Sequence, residues 1–287
     1  MIWKILYRGP LSSCNYSCDY CPFAKTKNTR AELLDDKQKL KRFVEWIKDR
    51  KENVEILFAP WGEALIRNYY QEAMTELSHL PNVKNVTIQT NLTCDTKWMS
   101  KVNKNTFSLW TTFHPSQISL EKFTEKCKEL DDLNVRYSVG FVALKEDISI
   151  LQKLRSLINE DVYIWANAYK RVPNYYTQSE IETIKKVDPL FDINNKFHPS
   201  KGKDCSAGNT SFSVDGDGNI TRCNFIKGQI TNIYSSAFEK HLKPRKCINK
   251  TCHCYIGYIH LKELQLENTY QSIWGRIPVE FRRKIKS

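Results

Sequence analysis

Between residues 3 and 168 the sequence alternates short apolar runs with amphipathic helical stretches, and few folds accommodate that rhythm. Runs at 3–7, 54–59, 83–90, 107–113, 135–143 and 162–168 read as strands, and the stretches 35–50, 68–80, 96–102, 120–133 and 147–159 between them read as helices. In 35–50, Leu40, Phe43, Val44 and Ile47 recur on one helical face with charge elsewhere. Strands separated by crossover helices form a parallel sheet with right-handed connections. Six strands do not close an eight-stranded barrel, so the expectation is a partial, open (β/α)6 barrel with its functional residues at the carboxyl ends of the strands.

The chain of 287 residues carries ten cysteines, at positions 14, 18, 21, 94, 127, 205, 223, 247, 252 and 254. No apolar run approaches the roughly 18 residues that span a bilayer, and residues 1–8 are too short and too charged for a secretory signal. The expected location is the cytoplasm with no membrane partner. Disulfides do not persist there, so the thiols point to metal or redox chemistry. Cys94 and Cys127 lie within apolar stretches and read as small buried hydrophobes. The net charge of +12 bears on solubility and encounter more than on function.

The first thiol cluster, Cys14-Asn15-Tyr16-Ser17-Cys18-Asp19-Tyr20-Cys21, follows the chain break Arg8-Gly9-Pro10 that ends the first strand. Three thiolates leave a fourth coordination position open, whereas a closed structural zinc site takes four ligands. Iron-sulfur clusters are held by thiolates. This C-x3-C-x2-C, with aromatic Tyr20 before its last cysteine, resembles the signature of the radical S-adenosylmethionine superfamily. The resemblance implies a TIM-like partial barrel, a 4Fe-4S cluster on Cys14, Cys18 and Cys21, and S-adenosyl-L-methionine bound at the open iron. A zinc knuckle completed by His253 or another remote ligand is the rival reading.

The carboxyl ends of the later strands extend the resemblance. Pro60-Trp61-Gly62-Glu63-Ala64 is similar to the superfamily's Gly-Gly-Glu-Pro segment, which implies that Gly62 and Glu63 serve the methionyl amino group, with Trp61 and Ala64 departing from the pattern. Asn91, in Gln89-Thr90-Asn91, resembles the residue that reaches the cofactor ribose, and Thr112 stands where relatives place a small hydroxyl residue. His114 faces the substrate in this reading and exchanges a proton near neutrality, with a capping role into Pro115 as the alternative. Lys170 and Arg171, with Asn167 and Tyr169, crowd the last strand's rim and read as ligands for an anionic substrate or the cofactor carboxylate, or as solvated charges.

Beyond residue 171 the rhythm stops. The expected organisation is a barrel core over 1–171, a connecting segment over 172–200, a module over 201–257, and a helix with a basic tail over 258–287. In the module, Asp-Gly and Gly-Asn between alternating runs predict a hairpin that brings Cys205 and Cys223 together. A calcium loop is excluded, because Ile220 and Ile226 occupy the positions where an EF-hand requires Gly and Glu. Cys205, Cys223 and a later trio, Cys247, Cys252 and Cys254, resemble the SPASM/twitch module of radical S-adenosylmethionine enzymes. That resemblance implies a small α+β module with an auxiliary 4Fe-4S cluster, leaving open which two of the trio bind. A four-cysteine zinc ribbon is the alternative. The interleaved basic and aromatic tail suits packing of Trp274 and Phe281 on the barrel better than nucleic acid.

The expected activity is reductive cleavage of S-adenosyl-L-methionine to a 5′-deoxyadenosyl radical that abstracts hydrogen from a small-molecule or peptide substrate. The auxiliary cluster would assist oxidation or bind substrate, and a flavodoxin or ferredoxin would donate electrons. Only 13 residues precede Cys14, which leans toward a small molecule over the alternative of a peptide maturase acting on a partner-delivered peptide. From another class, the alternative is a non-enzymatic iron-sulfur or zinc protein.

Overall fold

The structure is a computed structural model and describes residues 1–23 and 26–281. Six parallel strands, β1 (Ile2–Arg8), β2 (Asn53–Phe58), β3 (Val83–Thr90), β4 (Phe107–Phe113), β5 (Arg136–Ala143) and β6 (Ile164–Ala168), stand in sequence order. Helices α1 (Arg30–Lys48), α2 (Asn68–His79), α3 (Leu120–Asp132) and α4 (Ile148–Leu157) form crossovers, and α5 (Gln178–Lys185) follows β6. The expected 96–102 helix is a 3-10 turn at Lys97–Lys101. Helix α1 starts at Arg30, five residues before the expected start, because Thr29 and Glu32 form a reciprocal capping box that satisfies the first amide donors.

Past α5 come α6 (Phe191–Asn194), β7 (His198–Pro199), β8 (Asp204–Cys205), β9 (Ser211–Asp215), β10 (Asn219–Cys223), β11 (Ile226–Asn232), β12 (Arg245–Lys246), β13 (Thr251–Cys252), α7 (Tyr255–Tyr258) and α8 (Leu266–Thr269). The hairpin β9–β10 joins the barrel's own sheet: β9 pairs in parallel with β1, in register Leu6↔Ser213, and the order is β11-β10-β9-β1-β2-β3-β4-β5-β6. The chain is therefore a partial (β/α)6 TIM-like barrel followed by a small α+β module with a hairpin. In the turn Asp215 accepts from the Asp217 and Asn219 amides, and Gly218 takes φ +84°.

Two cores result. Trp3, Ile5 and Tyr7 of β1 face the helices, packing with Phe43, Ile47 and Phe58, while Leu6 faces inward with Leu57, Ala59, Trp110 and Trp165. The inner face is covered by the C-terminal stretch, including Tyr255, Tyr258, Leu266 and Trp274. In place of the single helix expected here stand two four-residue turns, α7 and α8, with Gln265 at φ +47° immediately before α8. Trp274 is fully buried and donates to the Glu55 carbonyl at 3.3 Å, and Ser138 donates to the Gly275 carbonyl at 2.8 Å. Phe281 packs on Tyr163 at 5.0 Å, whereas the basic residues 282–286 lie outside the described residues. Truncation of this plug, Trp274→Ala, is expected to lower stability by about 3–5 kcal/mol in urea unfolding, as for large core aromatics.

Candidate functional site

The loop after β1 is gripped by its backbone. Asp36 of α1, almost wholly buried, accepts from the Leu11 amide at 3.3 Å and from the Tyr69 and Tyr70 hydroxyls at 2.8 and 3.2 Å. Asn28 Oδ1 accepts from the amides of Ser12 and Ser13 at 2.9 and 2.7 Å. From β2, the Glu63 amide donates to the Ser13 carbonyl at 3.1 Å, so close that a Cβ on Gly62 would lie 1.9 Å from that oxygen. From β3 and β4, Asn91 Nδ2 donates to Asn15 Oδ1 at 3.0 Å and Gln117 Oε1 accepts from the Ser17 amide at 2.9 Å. None of these tethers takes a thiol as its main partner, so Cys14, Cys18 and Cys21 face an open cavity of about 210 Å³.

That cavity brings together Cys14, Cys18, Cys21, Gly62, Glu63, Asn91, Thr112 and His114, along with Trp61, Trp110 and Trp165. Trp110 and Trp165 were not singled out from sequence, because each reads there as an ordinary core residue of a strand. Tyr20 stands behind the wall, its hydroxyl 2.6 Å from His114 Nδ1, and its carbonyl accepts from Arg171 at 3.0 Å. Burial pushes His114 down to about 4, which favours the neutral ring.

Glu63 is 2 % exposed, and both of its oxygens are engaged. Oε1 accepts from the Leu65 amide at 3.0 Å and the Thr90 hydroxyl at 2.8 Å, and Oε2 from the Asn91 amide at 2.6 Å. The carboxyl therefore clamps the end of β2 to the end of β3. Burial pushes it up to about 7 despite these donors. Gly62 likewise makes room for the Ser13 backbone, a role beside the cofactor approach expected of it.

The second thiol group lies where β8, β10, β12 and β13 end. Cys205 pairs with Arg245 across β8–β12, and Cys252 with His198 across β13–β7. Burial, then the proximity of Cys223, Cys254, Cys247 and Cys205, pushes the Cys252 thiol up to about 12. Cys223 is raised by burial and by Cys205 and Cys247. Cys254 is also raised by burial, but its opposing neighbours are cations, Lys170, Arg276 and Arg8. Cys205, Cys223, Cys247, Cys252 and Cys254 thus lie near one another, and Cys254 also faces the cations Lys170, Arg276 and Arg8. Gly257 allows the approach, since a Cβ there would lie 2.7 Å from Cys252 Sγ. Lys170, expected at the substrate rim, donates instead to the His253 carbonyl at 2.6 Å and to the Asn194 carbonyl. Cys94 and Cys127 are buried in the helix-side core.

Among the described residues, no three His, Cys, Asp or Glu side chains are gathered closely enough for a single metal ion. Iron-sulfur clusters are held by thiolates, one per iron, and the three thiols at the cavity are donors of that kind.

No protein-family model matches the sequence, and no curated protein matches it. Solved structures do. Native anSMEcpe with bound AdoMet, that is S-adenosylmethionine, matches with a TM-score of 0.54 at 16 % identity over 83 % of this chain and 80 % of that chain. Native anSMEcpe with bound AdoMet and Cp18Cys peptide matches with a TM-score of 0.53 at 18 % identity, over 83 % and 79 %. BtrN in complex with AdoMet and 2-DOIA matches at 0.41 and 14 %, over 83 % and 86 %. The likeness is one of fold: the chain shares the fold of anSMEcpe over about four-fifths of its length.

The Glu63 clamp predicts a pH dependence of the apoprotein. A carboxyl raised from its ordinary range to about 7 keeps its proton longer folded than unfolded. Stability is therefore full below the unfolded value and is lost as pH rises through the window up to about 7, by roughly 3 kcal/mol at most. Urea midpoints from pH 5 to 8 should fall in the wild type and stay flatter in Glu63→Gln; a wild-type profile that rises with pH would refute the assignment.

Proposed function

We propose that this chain is a radical S-adenosylmethionine enzyme with an auxiliary iron-sulfur centre. One observation carries the reading: three thiols and the polar ends of β2, β3 and β4 converge on one cavity, with the loop's backbone, not its thiols, consumed in positioning. Cys14, Cys18 and Cys21 would hold a 4Fe-4S cluster, and Cys205, Cys223, Cys247 and Cys252 a second. Bound together, the reduced cluster and S-adenosylmethionine supply reductive cleavage to a 5′-deoxyadenosyl radical able to abstract hydrogen from substrate.

The chain's residues do the positioning. Gly62 and the Glu63 amide seat the cysteine loop. Glu63 fixes the Asn91 backbone, and Asn91 and Thr112 line the cavity, where Asn91 would reach the ribose of S-adenosylmethionine and Thr112 would touch the cofactor. Tyr20 orients a neutral His114. Trp110 and Trp165 form an apolar floor that excludes water from the reacting centre. The substrate is a small molecule or a peptide, and the peptide held by anSMEcpe favours the peptide. A soluble electron donor such as flavodoxin or ferredoxin completes the cycle.

Anaerobic reconstitution with iron and sulfide should give about eight irons per chain, four for each cluster. With a strong reductant the protein should then form 5′-deoxyadenosine from S-adenosylmethionine. Cys18→Ala should abolish the nucleoside and remove about four irons, and Cys252→Ser should remove about four while sparing some nucleoside formation. Stoichiometric zinc with no nucleoside would overturn the reading.

A further inference from the structure

The C-terminal cysteines are surrounded by cations that have no acid. Arg222, 6 % exposed, precedes Cys223 and donates through Nε to the Ala207 carbonyl at 3.1 Å, two residues past Cys205. Its Nη2 reaches the Arg245 carbonyl at 2.7 Å and its Nη1 the Lys246 carbonyl at 2.5 Å, next to Cys247. Arg8, at the end of β1, donates to Asn224 Oδ1, next to Cys223, and to the Ala59 carbonyl at 2.6 Å. Lys170 donates to the His253 carbonyl, between Cys252 and Cys254, at 2.6 Å.

Arg222 and Lys170 thus attach to backbone carbonyls close to Cys205, Cys247, Cys252 and Cys254, and Arg8 to the side chain of the residue after Cys223. Every acceptor is a carbonyl or amide oxygen. No ion pair among the described residues involves Arg8, Lys170 or Arg222, and the pairs that exist engage other lysines and Arg50. Cations withdrawn from water call for an anion, and a neutral carbonyl shell solvates them without balancing the charge.

We propose that Arg8, Lys170 and Arg222 are the counter-charge of an anionic thiolate-held iron-sulfur centre on Cys205, Cys223, Cys247 and Cys252, and that they raise its reduction potential. The inference rests on the auxiliary-centre reading above. Uptake of one electron adds one negative charge to the centre, so nearby fixed cations stabilise the reduced form more than the oxidised one. Arg222 ties the loops together as well. Arg8 and Lys170 are positioning residues whose charge can be removed with less disturbance.

The test uses the full chain carrying Cys14→Ala, Cys18→Ala and Cys21→Ala, so that only the C-terminal centre remains. After reconstitution it is titrated with dithionite against redox dyes and followed by absorbance and electron paramagnetic resonance. With iron unchanged at about four per chain, Lys170→Met and Arg8→Met should titrate at lower potential than the parent, and Lys170→Arg at the parent's potential. Loss of iron in Lys170→Met but not in Lys170→Arg also supports the counter-charge. Unchanged potentials in both methionine variants overturn the proposal and leave the auxiliary centre standing. Loss of iron in both Lys170 variants with native circular dichroism overturns it too, because retained charge would then not suffice. A folded parent with no iron, or with one zinc, removes the auxiliary centre and the proposal with it.

Discussion

Strand β1 is paired on both sides, with β2 at one edge and β9 at the other, both parallel to it. The rest of the molecule depends on that double pairing. It turns the hairpin of the C-terminal module into an extension of the barrel, so that both thiol groups are built around one strand. The cysteine loop leaves the carboxyl end of β1, and Arg8, the strand's last residue, turns to the residue after Cys223. A parallel pair distant in sequence needs a long connection, and here nearly the whole barrel supplies it.

The buried charges are each accommodated differently. Asp36 and Asp188 sit among donors: Asp188 accepts from the Tyr163 hydroxyl at 2.5 Å and from the Ala166 and Leu190 amides at 2.8 and 3.0 Å. Arg276 instead lies 4.0 Å over Trp165 and 4.2 Å over Tyr255, among tyrosines and near Asp188. Cation–π contact is most favourable where the cation is desolvated, and this face is closed. Arg8 likewise lies 4.0 Å over Trp61, while Arg222 is solvated by backbone carbonyls alone and the Lys170 ammonium reaches two such carbonyls.

The barrel was legible because its signals are local. All six strands and α1 to α4 fall within a few residues of their apolar patterns, and the largest displacement, at the start of α1, reflects a capping box that periodicity does not register. The cysteine loop and the rim residues of β2 to β4 were legible for the same reason, since their placement follows from strand ends. The pairing of β9 with β1 was not, because nothing in either segment encodes its partner. Strand β11, half exposed and without apolar alternation, gave no signal of its own. Lys170 was placed at the rim from its position after β6, but its chain-distant acceptor, the His253 carbonyl, decides where its charge lies.

The cavity's chemistry is defined by what its ionisable groups are prevented from doing. Glu63 has both oxygens occupied by donors, and the His114 ring is held through Nδ1 by Tyr20. The floor is aromatic: Trp110 meets Trp165 edge-on at 5.2 Å and Tyr255 at 5.4 Å, and Tyr255 directly follows Cys254. On the other side Trp61 packs on Phe23 at 4.5 Å and beneath the Arg8 guanidinium at 4.0 Å. A substrate entering there meets thiols, amides, a hydroxyl and apolar rings. The same aromatic floor reaches from the cavity to the residue after Cys254, so the two thiol groups are separated by packed rings and a buried arginine.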